Sequence, residues 1–231
     1  MTTDPLSLAE ELVLLAVQTS PTAHSADALD IGAIGAEVVE LALAGRLQMS
    51  DGRALVTEPK PLGDPLLDAR LADLAAARKP QKLHRYLGQR RRGLRGAYLG
   101  RLAAAGLVEE RQSRALGLFP YRRWYLTAAG EAAAPRRRLD EVVQGGASPG
   151  PRTLALAALA RATRMDRALY PGRDGRSDRA RLESIARGHQ MGQDVARALA
   201  TLEAVNSAIT TAVTMAAFAG TDGGHGGHGG H

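Results

Sequence analysis

The stretch "IGAIGAEVVELALAGR", Ile31 to Arg46, is apolar on most sides of a helical projection. "RTLALAALARATRMDRALY", Arg152 to Tyr170, and "AITTAVTMAAFA", Ala208 to Ala219, are just as apolar. A helix that is hydrophobic nearly all round has to be wrapped by other elements. Segments of this kind therefore demand a core of helices with further helices around it. Aromatic residues make up only 3% of the chain, so that core has to be built from Leu, Ala, Val and Ile. This supply favours helix bundles over a sandwich or barrel. The 231 residues allow one large domain or two small ones. The Gly/Pro-rich "GGASPGP", Gly145 to Pro151, reads as a loop inside one domain, because the C-terminal part beyond it is too small and apolar to stand alone.

Local chemistry places the elements. Ser7 followed by Glu10 forms a capping-box pattern that opens a first helix at Leu8. Gly45 stands where a helix C′ residue is expected. Asp51-Gly52 between alternating residues is a hairpin turn signal. Asp64-Pro65 pairs a cap with a proline suited to the first helical position. After Gly106, "LVEERQSRALGLFPYRRWYLT" reads as two strands joined by an apolar tip at Leu116, Leu118 and Phe119. Pro135 divides the next helical stretch, and a long final helix runs from about Gln190 to Phe218.

No cysteine is present, which removes disulfides, thiolate metal sites and cysteine nucleophiles. His24, His84 and His189 have no metal-ligand spacing, and neither a nucleophile motif nor a phosphate-cradling glycine loop is found. The expectation is a non-enzyme with no metal and no cofactor. No stretch reaches the roughly 18 uncharged apolar residues of a membrane span, and no basic leader precedes the first helix. A cytoplasmic protein whose membrane contact is peripheral is expected. The tail, residues 221–231, is a Gly/His repeat that reads as solvated rather than metal-binding.

The charge is what points to a partner. The chain carries a net +6, almost all of it as arginine, since Lys60, Lys79 and Lys82 are the only lysines. Between Arg78 and Arg101 there are nine Lys or Arg and no Asp or Glu. A merely solvated face interleaves both signs. Within "LGQRRRGLRGAYLGRLAAAGLVEE", Leu87 to Glu110, a single basic helix places Arg92 and Arg95 three residues apart, where they can converge on one anion. Arg90, Arg91 and Lys82 supply auxiliary charge. Gly93, Gly96, Ala97, Gly100 and Ala104 fall on the other side. Each helical glycine costs about 1 kcal/mol against alanine, so this side is expected to receive a closely packed helix.

Two partners compete for such a surface. A winged-helix reading takes the basic helix and the following hairpin to DNA, but glycine and alanine cannot read base edges. A membrane reading places the arginines on headgroup phosphates while Leu116, Leu118 and Phe119, flanked by Arg122 and Arg123, insert among acyl chains. An apolar tip of this kind also suits self-association.

The segments "LSLAEELVLLAV", "ELALAGRLQM", "PLLDARLADL", "KLHRYLGQRRRGLRGAYLGRLAAAGLV" and "GPRTLALAALA" occur in an order and spacing that resembles the Golgi phosphoprotein three family, over about residues 6 to 219. The resemblance implies a mainly α, single globular domain, residues 1–220, with an apolar helical core, surrounding amphipathic helices and a protruding β-hairpin. It also implies a peripheral membrane protein on the inner face of the membrane that binds anionic, phosphoinositide-like headgroups. Phosphatidylinositol 4-phosphate or a bacterial analogue would be the ligand, and the hairpin would serve insertion or homo-oligomerisation. The family's R-x-x-R pair falls on Arg92 and Arg95. Its other headgroup contacts, a Trp and an Arg, fall on Ser25 and Ile34 and are absent. With the composition, the chain resembles a bacterial member, and nucleic acid is not the expected partner.

Overall fold

The computed structural model describes residues 6–19, 26–88, 93–115, 119–133, 135–146, 148–187 and 196–219. The Gly/His tail therefore lies outside the described residues. The fold is a mainly helical single domain with two small β-hairpins.

Helix α1 (Leu8–Thr19) starts where the capping box places it. The Ser7 N–H donates to Glu10 Oε2 at 2.7 Å, and the Glu10 N–H donates to Ser7 Oγ at 3.2 Å, so two orphan donors are satisfied reciprocally. Helix α2 (Ala26–Leu43) is the axle of the domain and packs against α1. Ile31 to Val39 are buried without a break, as the all-round apolar pattern requires. Leu12, Leu15, Ile34 and Leu41 are fully buried here; each stabilises by about 1.5–3 kcal/mol over exposure.

The hairpin β1 (Leu47–Ser50) and β2 (Arg53–Val56) turns on Asp51 and Gly52, both at positive φ (49° and 68°). Helix α3 (Pro65–Ala75) is capped by Asp64, whose carboxylate accepts the N–H groups of Leu66 and Leu67. The basic stretch forms two helices, α4 (Leu83–Gly88) and α5 (Leu94–Ala104). Beyond α5 comes a second hairpin: β3 (Val108–Ala115) pairs with β4 (Phe119–Leu126) in a register that sets Arg111 opposite Arg123 and Ala115 opposite Phe119. Its base is tied to the body by buried Leu107 and Val108 and by half-buried Trp124 and Leu126. Farther out, Glu110, Arg111 and Gln112 are exposed, so the hairpin projects from the domain.

Pro135 separates α6 (Ala128–Ala132) from α7 (Pro135–Val143). Helix α8 (Pro151–Ala162) is buried along nearly its whole length. Then come α9 (Asp166–Leu169), α10 (Arg176–Ala186) and α11 (Ala196–Ala219). Among the described residues no helix is long and apolar enough to cross a membrane. Helix α11 instead packs on α2 and α4, burying Val205, Ile209 and Ala212.

Close helix approach occurs at a different set of glycines from the expected one. A Cβ on Gly35 would stand 2.3 Å from Ile209 Cδ1, and one on Gly32 would stand 2.4 Å from Thr163 Cγ2. It is therefore α2 that uses glycine to admit α11 and the end of α8. On α5 the expectation fails: Gly93, Gly96, Ala97, Gly100 and Ala104 are exposed, and a Cβ on Gly93, Gly96 or Gly100 would meet nothing within 4 Å. The reason lies in the other face of α5. Tyr98, Leu99 and Leu102 are buried against α1 and α2, and this turns the small residues outward.

Candidate functional site

The single basic helix expected from the sequence is broken at Gly93, whose φ of 97° is left-handed and cannot continue a helix. Arg90, Arg91 and Arg92 lie outside the described residues, between the ends of α4 and α5. The argument that Arg92 and Arg95 neighbour each other as helix positions three apart does not hold across this break. Their convergence on one anion is instead a question of how the two flanking helices are held.

Both helices are anchored to one buried carboxylate. Glu37 on α2 is 1% exposed. Its Oε1 accepts the Tyr98 hydroxyl of α5 at 2.8 Å, and its Oε2 accepts Arg70 Nε of α3 at 2.5 Å. Arg70, itself buried, donates to the Tyr86 hydroxyl of α4 at 2.9 Å, and that hydroxyl donates to Asp73 at 2.6 Å. So α4 and α5, on either side of the three arginines, meet at the same interior network. Burial pushes the Glu37 carboxyl above the usual carboxylate range, and the Arg70 guanidinium works against that shift without cancelling it. Burial also lifts the Tyr86 phenol to about 12, assisted by its hydrogen bond to Asp73.

Two turns earlier on the same face of α2, Asp30 accepts the Arg95 backbone N–H at 2.8 Å. Gly93 has no side chain to cap α5, and Asp30 supplies the anion that the helix N-terminus favours. The Arg95 guanidinium is half-buried and, among the described residues, takes no hydrogen bond or ion pair. Arg101, one of the nine cations in the run, is already spent. It pairs with Glu10 at 2.9 Å and with Asp64 at 2.7 Å. Lys82 is exposed at the start of α4, opposite the end that leads to Arg90, and its amine donates to the Asp51 carbonyl at 2.5 Å. A six-residue helix spans about 9 Å, so Lys82 is an outlying charge rather than a neighbour of the arginines.

Ile34 is 1% exposed in the middle of α2. A side chain at that depth touches no headgroup, so the site here is built without this position. Ser25 lies outside the described residues. On the second hairpin, Leu116 and Leu118 likewise lie outside the described residues. Phe119 opens β4, and Arg122 is paired in register with Gln112. Arg123 is half-buried opposite Arg111, whose guanidinium sits 5.0 Å from the Tyr125 ring centroid. Among the described residues no three His, Cys, Asp or Glu side chains are grouped to hold a metal.

Asp30, Glu37, Arg70 and Tyr98 hold the helices that flank the candidate segment, yet nothing in their spacing marks them. The one local signal is an acid inside an apolar run, Glu37 in "AEVVEL". A buried carboxylate has to find a cation, and here it finds one from α3.

A family model described as Golgi phosphoprotein 3 (GPP34) matches residues 8–202. The chain belongs to this family. The search of curated proteins finds no match. In this chain Ile34 belongs to the core.

Proposed function

We infer that the protein is a non-catalytic, peripheral membrane protein that binds anionic lipid headgroups through the segment from Arg90 to Arg95. The observation that carries this reading is the anchoring of both flanking helices on Glu37 beside a guanidinium, that of Arg95, which has no partner among the described residues. Such anchoring holds the two ends of the segment, and among the described residues it leaves the Arg95 guanidinium unspent on an internal acid. The bare outer face of α5 adds support, because no side chain stands between that helix and a flat surface. It also argues against DNA, since the outward positions Gly93, Gly96, Ala97, Gly100 and Ala104 offer base edges no donor or acceptor, and Arg95 beside them is half-buried.

Without side chains suited to a headgroup at Ser25 and Ile34, recognition rests on phosphate charge. Selectivity for phosphatidylinositol 4-phosphate over other anionic lipids is correspondingly low. The projecting hairpin, with Leu116, Leu118 and Phe119 at its end and Arg122 and Arg123 on its return strand, inserts into the membrane or joins copies of the chain. The domain covers residues 1–220, works at the inner face of the membrane from the cytoplasm, and in its arginine-for-lysine bias fits a bacterial source.

Co-sedimentation with vesicles tests this. Binding to phosphatidylglycerol and phosphatidylinositol 4-phosphate vesicles, but not to phosphatidylcholine, is expected at physiological salt, with weak and steeply salt-dependent binding to duplex DNA. Tighter binding to DNA than to anionic vesicles would overturn it. For the hairpin, Leu118→Ser with Phe119→Ser should weaken vesicle binding or lower the mass seen by light scattering. Each side chain contributes about 1.5–3 kcal/mol when buried. Unchanged mass together with unchanged vesicle binding would remove the hairpin from membrane contact and self-association alike.

A further inference from the structure

A cavity of about 730 Å³ opens between α8, α9, α10 and α11, and it shares no residue with the basic segment or the second hairpin. It exists because small residues stand where large ones would close the helices together. Ala158 and Ala162 lie one turn apart on α8, and Ala186 ends α10. Four arginines line this space. Two of them are committed: Arg161 lies 2.9 Å from Glu183, and Arg187 pairs with the same carboxylate. Arg164 and Arg167 are exposed at the cavity and, among the described residues, have no carboxylate partner. From α11, Asn206 lines the cavity, and its Oδ1 has no hydrogen bond among the described residues. Such an atom calls for a donor from outside. Glu203, one turn earlier on the same helix, adds a second acceptor.

The backbone gives an independent sign. Among the described residues, four helices end in the same Schellman pattern. After α2, α5 and α7 the left-handed C′ residue is glycine: Gly45 (φ 73°), Gly106 (φ 71°) and Gly145 (φ 80°). After α8 it is Arg164, at φ 60°. There the Arg164 N–H donates to the Arg161 carbonyl at 2.9 Å and the Met165 N–H donates to the Ala160 carbonyl at 2.8 Å. A side chain in this conformation is disfavoured against glycine. The fold carries that strain at a helix end that lines the cavity, and there it sets a guanidinium without an ion-pair partner among the described residues. Strain that persists where glycine would relieve it is a mark of function.

We propose that this cavity binds a phosphate ester that also carries free hydroxyl groups. The phosphate sits between Arg164 and Arg167 as charge-assisted hydrogen-bond acceptor. The hydroxyls donate to Asn206 Oδ1 and the Glu203 carboxylate. The same chemistry is offered by a soluble phosphate ester and by a glycerol headgroup, and the test separates the two.

Titration of the full chain with sn-glycerol 3-phosphate should saturate, and inorganic phosphate should bind more weakly. Arg164→Gly with Arg167→Ala should lower glycerol 3-phosphate affinity at least ~10-fold. Arg164→Gly alone should leave Tm unchanged or raise it by up to ~3 °C, which separates lost binding from lost folding. Asn206→Leu should erase the preference for glycerol 3-phosphate over inorganic phosphate. Phosphatidylglycerol vesicles form the second arm. If the arginine double variant still binds them as wild type does, the site serves a soluble ester. If it loses them while Arg92→Ala with Arg95→Ala keeps them, the site serves a headgroup, and the basic segment is not the lipid site. A wild-type chain that ignores millimolar glycerol 3-phosphate, or a double variant that binds it as wild type does, would overturn the proposal.

Discussion

Arg70 and Arg95 project from neighbouring parts of the same helical cluster and are used in opposite ways. Arg70 is 5% exposed and spends its guanidinium on Glu37 and Tyr86. Arg95 is half-buried, only its backbone N–H is taken, by Asp30, and its guanidinium has no partner among the described residues. The division extends through the molecule. Arg101 closes on Glu10 and Asp64, Arg138 on Glu11, and Arg152 on Glu11 and Glu40. These arginines neutralise carboxylates that α1, α2 and the start of α3 carry into or beside the core, so they are part of the fold. A net charge of +6 therefore says less about partners than the short list of cations that the fold has left unspent.

The largest effect should come from breaking the spent class. Glu37→Ala leaves Arg70 buried without its carboxylate and the Tyr98 hydroxyl without its acceptor, and should cost about 3–5 kcal/mol in denaturant unfolding. A loss below about 1 kcal/mol would mean that Arg70 is not held as an interior ion pair. The pH dependence of the same pair has a definite sign. The Glu37 carboxyl is raised on folding, chiefly by burial, so the folded state binds the proton more tightly than the unfolded chain. Its contribution is fully present below the ordinary carboxylate value and is lost as pH rises through the folded value. Wild type should therefore lose stability relative to Glu37→Gln as pH rises above about 4.3. The opposite slope would mean that Arg70 outweighs burial.

A smaller effect separates the two helices by their glycines. Gly35→Ala drives a methyl group into Ile209 and should cost about 1–3 kcal/mol. Gly96→Ala or Gly100→Ala meets open space and should stabilise by about 0.5–1 kcal/mol each. Should the α5 substitutions destabilise, its outer face is covered and the flat-surface argument falls.

This glycine contrast also marks what could be read in advance. Ser7 with Glu10, Asp51-Gly52, Asp64-Pro65 and Gly45 are local chemistry, and each does in the fold what its neighbours in sequence imply. The end of α8 was not legible, because Arg164 is a good helix former standing where a stop signal would be glycine. The break before α5 was hidden for a related reason: Gly93 reads as one more small residue in a basic helix until its left-handed φ is seen. The run of cations drew attention to the segment now proposed for lipid. It could not show that Arg101 is neutralised by Asp64 and Glu10, residues 37 positions and more away, or that Glu37 holds Tyr98 across 61. Long-range partners leave no trace in spacing, and the contacts that hold the helices on either side of the candidate segment consist of them.

The unspent class is where folding effects should be smallest and binding effects largest. Arg92→Ala with Arg95→Ala should shift stability by less than about 0.5 kcal/mol per residue. Sedimentation of this double variant with phosphatidylglycerol and phosphatidylinositol 4-phosphate vesicles at physiological salt measures the central claim directly. Arg173→Ala with Arg176→Ala removes the same charge from the exposed stretch before and at the start of α10 and serves as the control. A lipid site at the basic segment predicts that the first double variant stays in the supernatant while the control pellets with the vesicles as wild type does. Equal losses from the two would contradict it, because the attraction would then belong to the chain's total charge and not to the segment between α4 and α5.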